Sequence, residues 1–219
     1  MNMRLIERLK TYILKVGGYV IPFIQSIPPL SVWTGLMTVP VISYLIFFVL
    51  SFPGSITGVF ESFFRWYSWF WGVIVIISLP LLGYSIFYQS FKKKEGLVTT
   101  GPYKWVRHPQ YLIIILLTMV LTIWSYWVLT HTDGIGFLDP FATIILWFAE
   151  LFAYVLLAKI EELYLSKSFG ASYDAYKNSV PFLIPLLKIQ REEVEIVASI
   201  VLLAFFLFTL IIVVQTSLY

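Results

Sequence analysis

Thr99-Thr100-Gly101-Pro102-Tyr103-Lys104-Trp105-Val106-Arg107-His108-Pro109-Gln110-Tyr111 is the densest run of polar, cationic and turn-forming residues in an otherwise apolar chain. It separates two long apolar segments, so it reads as the place where the chain leaves a bilayer and re-enters it. Of the 219 residues, 59% are hydrophobic and only 12% charged. A soluble domain is about a quarter charged. The composition is that of a polytopic, all-α integral membrane helix bundle, in which each span needs about 20 apolar residues.

Working outward from the stretch, about five spans are expected. Before it lie residues 32–52, kinked by Pro40, and residues 66–91, which carry Pro80 and Gly83 and stop at Lys92-Lys93-Lys94. Pro is tolerated inside a membrane helix when neighbours cover the freed carbonyl. Trp66, Tyr67, Trp69 and Trp71 suit an interfacial aromatic belt. After the stretch come residues 110–129, with Pro109 placed for the first helical turn. Residues 140–169 follow and end at Gly170, which suits a left-handed cap. Residues 171–193 are polar, and residues 194–218 form the last span. The segment 1–30 places Leu5, Ile6, Leu9, Ile13 and Val16 at helical spacing among charges, the pattern of a helix lying on the membrane surface. It shows no small-residue cleavage site, and it does not read as a cleaved signal peptide. The whole of 1–219 reads as one domain, with no internal repeat or linker.

Charge sets the expected orientation. Fourteen of the fifteen Lys and Arg residues lie in the N-terminus, in 92–108 or in 159–193; Arg65 is the exception. The positive-inside rule then puts the N-terminus and the 99–111 stretch on the cytoplasmic side, with the C-terminus outside. The net charge of +3 is small and sits at segment ends, which argues against a nucleic-acid partner. With no Cys, and with His108 and His131 far apart, no metal site is expected.

Two polar clusters can carry chemistry. In the first, Arg107 offers a planar cation for a two-pronged grip on a carboxylate. His108 can exchange a proton near neutral pH, and Tyr103, Trp105 and Tyr111 offer ring faces to a purine or a cation. The bland reading of the same residues is a topology loop meeting anionic headgroups. In the second cluster, Lys159, Glu161 and Glu162 stand where the fourth span leaves the bilayer. Adjacent helical positions point about 100° apart, so one carboxylate can face the bundle while the other faces Lys159 or water. Glu150 lies deeper, inside the apolar run 141–158, where an ionisable residue is a functional candidate by default. It shares a helix face with Glu161 about 16 Å away, a face that can line a path into the bundle. The bland reading of Glu150 is a carboxyl hydrogen-bonded to a neighbouring helix.

Across residues 92–186 these elements form an ordered set: Thr99-Thr100-Gly101-Pro102-Tyr103, Arg107-His108-Pro109-x-Tyr111, the Glu161–Glu162 pair, Phe169-Gly170-x-x-Tyr173-x-x-Tyr176, Val180-Pro181 and Ile184-Pro185. The set resembles the isoprenylcysteine carboxyl methyltransferase family and is similar to the related phospholipid N-methyltransferases. The resemblance implies an integral membrane enzyme that uses S-adenosylmethionine from the cytosol and takes a lipophilic acceptor from the bilayer. It assigns Tyr103, His108, Pro109, Tyr111, Glu161 and Glu162 to the cofactor. Arg107 is placed near the reacting end, where it orients a carboxylate of cofactor or acceptor. His108 or a glutamate, with Glu150 a further candidate, serves as base where the acceptor needs one. An isoprenylcysteine-type carboxylate is the first acceptor expected; a lipid amine or a thiol are the others. Two positions depart from the family pattern: Ile113 stands where Gly is common, and Lys159 where Arg is common. Two rival readings are an NADPH-dependent reductase related to the sterol reductases, and a non-catalytic membrane protein that keeps the fold.

Overall fold

The fold is known from a computed structural model of the chain, which describes residues 29–51, 69–92, 94, 96–131 and 139–217. The expected surface helix in the N-terminal segment, the loop 53–61 and the belt residues Trp66 and Tyr67 therefore lie outside the described residues, apart from Pro29 and Leu30. Among the described residues the structure is helical throughout: α1 (Pro29–Ser51), α2 (Trp69–Lys92), a 3-10 turn (Gly101–Lys104), α3 (Pro109–His131), α4 (Pro140–Phe169), α5 (Ala171–Ser179) and α6 (Glu192–Ser217). Four of these helices, α2, α3, α4 and α6, are long and apolar enough to cross a membrane, and α1 adds a shorter apolar stretch, Met37–Phe47.

Helix ends fall where local chemistry puts them. Pro29, Pro109 and Pro140 each open a helix, a position where the missing N–H was unpaired anyway. Pro29 thus starts the first helix, a few residues before the span expected at 32–52. Asp139 caps α4 by accepting from the Phe141 N–H at 3.1 Å. Gly170, at φ 52°, ends α4 and lets the chain turn at once into α5. That nine-residue helix forms the first part of the polar segment expected after Gly170. The first turn of α6 holds Glu192, Glu193 and Glu195, the sign of charge that a helix N-terminus favours.

α3 is the hub. It packs against α1, α2, α4 and α6, and 67% of its span is buried against 6% of the α2 span. Lipid tails are as apolar as the helices, so packing here depends on fit and on polar ties between helices. Three such ties cross the bundle. Tyr44 donates to the Thr118 carbonyl at 3.0 Å, the Trp147 indole to the Ile115 carbonyl at 3.1 Å, and Tyr154 to the Met37 carbonyl at 2.9 Å. The outer faces of α2 and α6 expose Ile76, Phe87, Val197, Phe205 and Ile212, as a bilayer requires.

Candidate active site

The 99–111 stretch is held against α2 and α5. Gly101 adopts φ +63°, and a Cβ there would lie 2.6 Å from the Tyr88 ring, so only glycine fits. The Tyr88 and Thr100 hydroxyls meet at 2.6 Å beside it. Tyr103 donates to Gln110 Oε1 at 2.6 Å, and Tyr176 of α5 donates to the Tyr103 carbonyl at 2.7 Å. The Arg107 N–H donates to the Pro181 carbonyl at 2.9 Å. Pro181 and its neighbours therefore form a strap that fixes the residues just before α3. Burial raises the pKa of Tyr103, Tyr173 and Tyr176, keeping all three neutral as phenols.

Arg107 and His108 then meet the polar end of α4. Arg107 Nη1 lies 2.6 Å from Glu162 Oε1, and its Nη2 donates to Glu195 Oε2 at 3.4 Å. His108 sits between two carboxylates, with Nδ1 3.3 Å from Glu161 Oε2 and Nε2 3.4 Å from Glu162 Oε1. Burial of the imidazole pulls its pKa down, but the hydrogen bonds and charges of Glu161 and Glu162 outweigh it, and the net direction is upward from 6.5. With a carboxylate at each nitrogen, both ring positions favour an N–H. The ring stacks on Tyr111 at 5.4 Å and meets the Phe182 edge at 5.5 Å.

The cluster extends further than sequence reasoning foresaw. Lys159 Nζ reaches Glu162 Oε2 at 2.9 Å and also pairs with Glu192. Lys177 lies 2.7 Å from Glu192, and Lys188 lies 2.9 Å from Glu195. Four permanent cations (Arg107, Lys159, Lys177, Lys188) thus face four carboxylates (Glu161, Glu162, Glu192, Glu195), with His108 among them. Glu192, Glu195, Lys177 and Lys188 were all missed. The one local signal was the acidic first turn of α6, which by itself reads as a solvated helix start.

The two neighbouring glutamates differ. Glu162 is buried and engaged by Arg107, His108 and Lys159 together. It is therefore the carboxylate that both faces the bundle and meets Lys159, two positions expected to fall on different residues. Glu161 keeps 14% of its side chain exposed, and its Oε2 has no aligned hydrogen-bond donor. Arg107 Nε and the Tyr173 hydroxyl also lack partners among the described residues, and Arg107 Nη1 meets Glu162 as an ion pair without an aligned hydrogen bond.

A cavity of about 470 Å³ opens beside these groups. Tyr103, Arg107, Glu161 and Tyr176 line its polar part; Val41, Leu79, Leu82, Ile114, Leu117 and Leu121 line the rest, between α1, α2 and α3. Along α3 it runs from Ile114 to Leu121, about 10 Å of helix. Of the sequence-predicted residues, Tyr103, Arg107 and Glu161 line the cavity, while His108, Tyr111 and Glu162 are packed beside Arg107 without lining it, and Pro109 opens α3 next to them. Glu150 is not brought in: it is buried along α4 near Tyr44, Thr118 and Tyr154, and it is not among the residues lining the cavity.

Residues 73–133 match the model of the isoprenylcysteine carboxyl methyltransferase (ICMT) family. The match runs from α2 through the Gly101 turn and Arg107-His108-Pro109 to the end of α3. It bears out the resemblance drawn from the motifs and, at the level of the family, supports a membrane methyltransferase. It stops short of α4, α5 and α6, so Glu161, Glu162 and the cations around them stand on geometry. No curated protein and no solved structure matches the chain.

Proposed function

We propose that this protein is an S-adenosylmethionine-dependent membrane methyltransferase that takes a lipophilic acceptor from the bilayer. The acceptor proposed first is an isoprenylcysteine-type carboxylate; a lipid amine or a thiol would use the same cavity. The observation that carries the reading is the junction of two environments in one cavity: a charged end at Arg107 and Glu161, and an apolar run between α1, α2 and α3.

The residues present suit the cofactor. Its amino-acid end carries an ammonium and a carboxylate, and the polar end offers the part-exposed carboxylate of Glu161 and an unpartnered Nε–H on Arg107. When bound, S-adenosylmethionine supplies a methyl group already activated on a sulfonium. The residues therefore need to bind, align and exclude water, and alignment alone can supply about 7–11 kcal/mol. Glu161 accepts from the ammonium or from ribose hydroxyls. The Tyr103 ring on the cavity wall offers a face to the sulfonium or the purine, and Tyr111 backs the site by stacking on His108. Arg107 holds a carboxylate at the junction. A carboxylate acceptor needs no base; for an amine or thiol, His108 can take the proton once a carboxylate partner has moved away from one ring nitrogen. The active end and the N-terminus are cytoplasmic in this reading, in a cell membrane.

The test is binding followed by product chemistry. Radiolabelled S-adenosylmethionine binds the purified protein, NADPH does not, and Glu161→Ala and His108→Ala weaken binding. Incubation with labelled cofactor and total membrane lipid then gives a product whose lability in mild base separates ester from amine. Binding of NADPH in place of the sulfonium cofactor would favour the reductase reading and end this one.

A further inference from the structure

The last membrane span meets the candidate site at a single buried side chain. Glu195, in the first turn of α6, is fully buried. Its Oε1 accepts from the Phe182 N–H at 2.6 Å. Its Oε2 accepts from Lys188 Nζ at 2.9 Å and from Arg107 Nη2 at 3.4 Å. Arg107 is bound to the same strap through its own N–H to Pro181, and its guanidinium lies 5.2 Å from the Phe182 ring centroid. A carboxylate buried this completely persists because three donors surround it. Of the three, only Arg107 lines the cavity.

We propose that Glu195 is a positioning residue for Arg107, and that α6 is thereby part of the reaction site. Glu162 and Glu195 take the two Nη atoms of the guanidinium. The Nε–H has no partner among the described residues and is the donor proposed to meet a carboxylate in the cavity. A planar guanidinium engaged at both Nη atoms, by ion pair at Nη1 and hydrogen bond at Nη2, is restrained from swinging, so its Nε–H is preorganised. Without Glu195 the plane is held at one corner only. The fold at the strap survives such a loss if the acceptor for Phe182 N–H is kept, which makes Glu195→Gln the informative change. The amide keeps Oε1 for Phe182 and removes the charge facing Arg107.

The role of Arg107 in the reaction rests on the proposed function, so the experiment has one arm that does not need it. In the full-length protein in nanodiscs with ¹⁵N-labelled arginine, the Arg107 Nε–H signal, assigned by its loss in Arg107→Lys, exchanges slowly with water. It exchanges several-fold faster in Glu195→Gln and is unchanged in Lys188→Met. The second arm is a double-mutant cycle on methyl transfer. Glu195→Gln lowers kcat/KM about tenfold in the wild-type background and does not lower it further in Arg107→Lys, since coupled neighbours are not additive. An unchanged Nε–H exchange rate in Glu195→Gln, equal acceleration by Lys188→Met, or multiplicative losses in the cycle would each overturn the proposal. If the wild-type protein transfers no methyl group, the functional reading fails alone, and the exchange arm still decides whether Glu195 holds Arg107.

Discussion

The two ends of α4 treat a buried glutamate in opposite ways. At the polar end Glu162 meets Arg107 and Lys159, and His108 lies beside it. Twelve residues earlier Glu150 is just as buried, yet it forms no ion pair among the described residues, and the polar group beside it is the neutral Thr118 hydroxyl of α3. Residue type and burial are the same; what differs is the company. Carboxylates at the polar end are parts of a balanced array that only the assembled chain can make. Glu150 is a polar group tolerated inside a packed span. If that contrast is real, removing a member of the array is costly and removing Glu150 is not.

The largest effect is expected at Arg107. Arg107→Ala leaves Glu162 and Glu195 buried with one cation fewer each, and breaking a buried pair by deleting one partner costs about 3–5 kcal/mol. Detergent-solubilised Arg107→Ala unfolds at markedly lower temperature or denaturant than wild type, before any question of activity. A change below about 1 kcal/mol would mean that the array is not the fastening described here.

Glu161 comes next, and it separates binding from stability. Its side chain is part-exposed and its one close ionic partner among the described residues is His108, so Glu161→Ala costs less stability than Arg107→Ala. Hydrogen bonds to charged groups contribute about 1.5–3 kcal/mol, so S-adenosylmethionine affinity falls about 10- to 150-fold. Equilibrium binding of the labelled cofactor reads this directly. Unchanged affinity would detach Glu161 from the cofactor.

His108 gives a smaller effect with a definite sign. Its pKa is raised in the folded protein, with burial opposing and the two glutamates prevailing. A group raised on folding adds stability that is fully present below its unfolded value and is lost as pH rises through its folded value. Stability therefore declines as pH climbs above 6.5, and His108→Gln flattens that part of the profile. Thermal melting at a series of pH values checks it; a wild-type profile rising through the same range would reverse the assignment.

Much of this arrangement was legible in the residues. The spans and their ends followed from apolar length and from Pro109, Pro140 and Gly170, because those signals are local. Arg107, His108, Glu161 and Glu162, set apart in the sequence as two polar clusters, lie side by side in the folded chain. What could not be read was the pairing across the chain. Glu195 lies 88 residues from Arg107, and nothing in Glu192-Glu193-Val194-Glu195 says which cations it will meet. The direction in which Glu161 and Glu162 divide their tasks was equally hidden: a 100° difference fixes that they diverge, but only the placement of α3 and α6 decides which one is enclosed. Glu150 shows the reverse error, since depth alone marked it out and depth alone does not bring it to the cavity.

The smallest expected effect is therefore the sharpest test of the contrast. A buried carboxyl beside one neutral hydroxyl and outside any ion pair has little to lose to a replacement of similar shape. Glu150→Gln keeps methyl transfer within about twofold of wild type, and Glu150→Leu melts at the same temperature or higher. The two substitutions are read together because they fail differently. If Glu150 held a proton or an acceptor group during the reaction, both would lose transfer while the folded state stayed intact. If it were instead a hidden tie between α4 and α3, Leu would destabilise and Gln would rescue. Transfer and melting both near wild type would leave the polar end of α4 as the chemically active one, with Glu150 a neighbour of the cavity wall at Thr118 and not a participant.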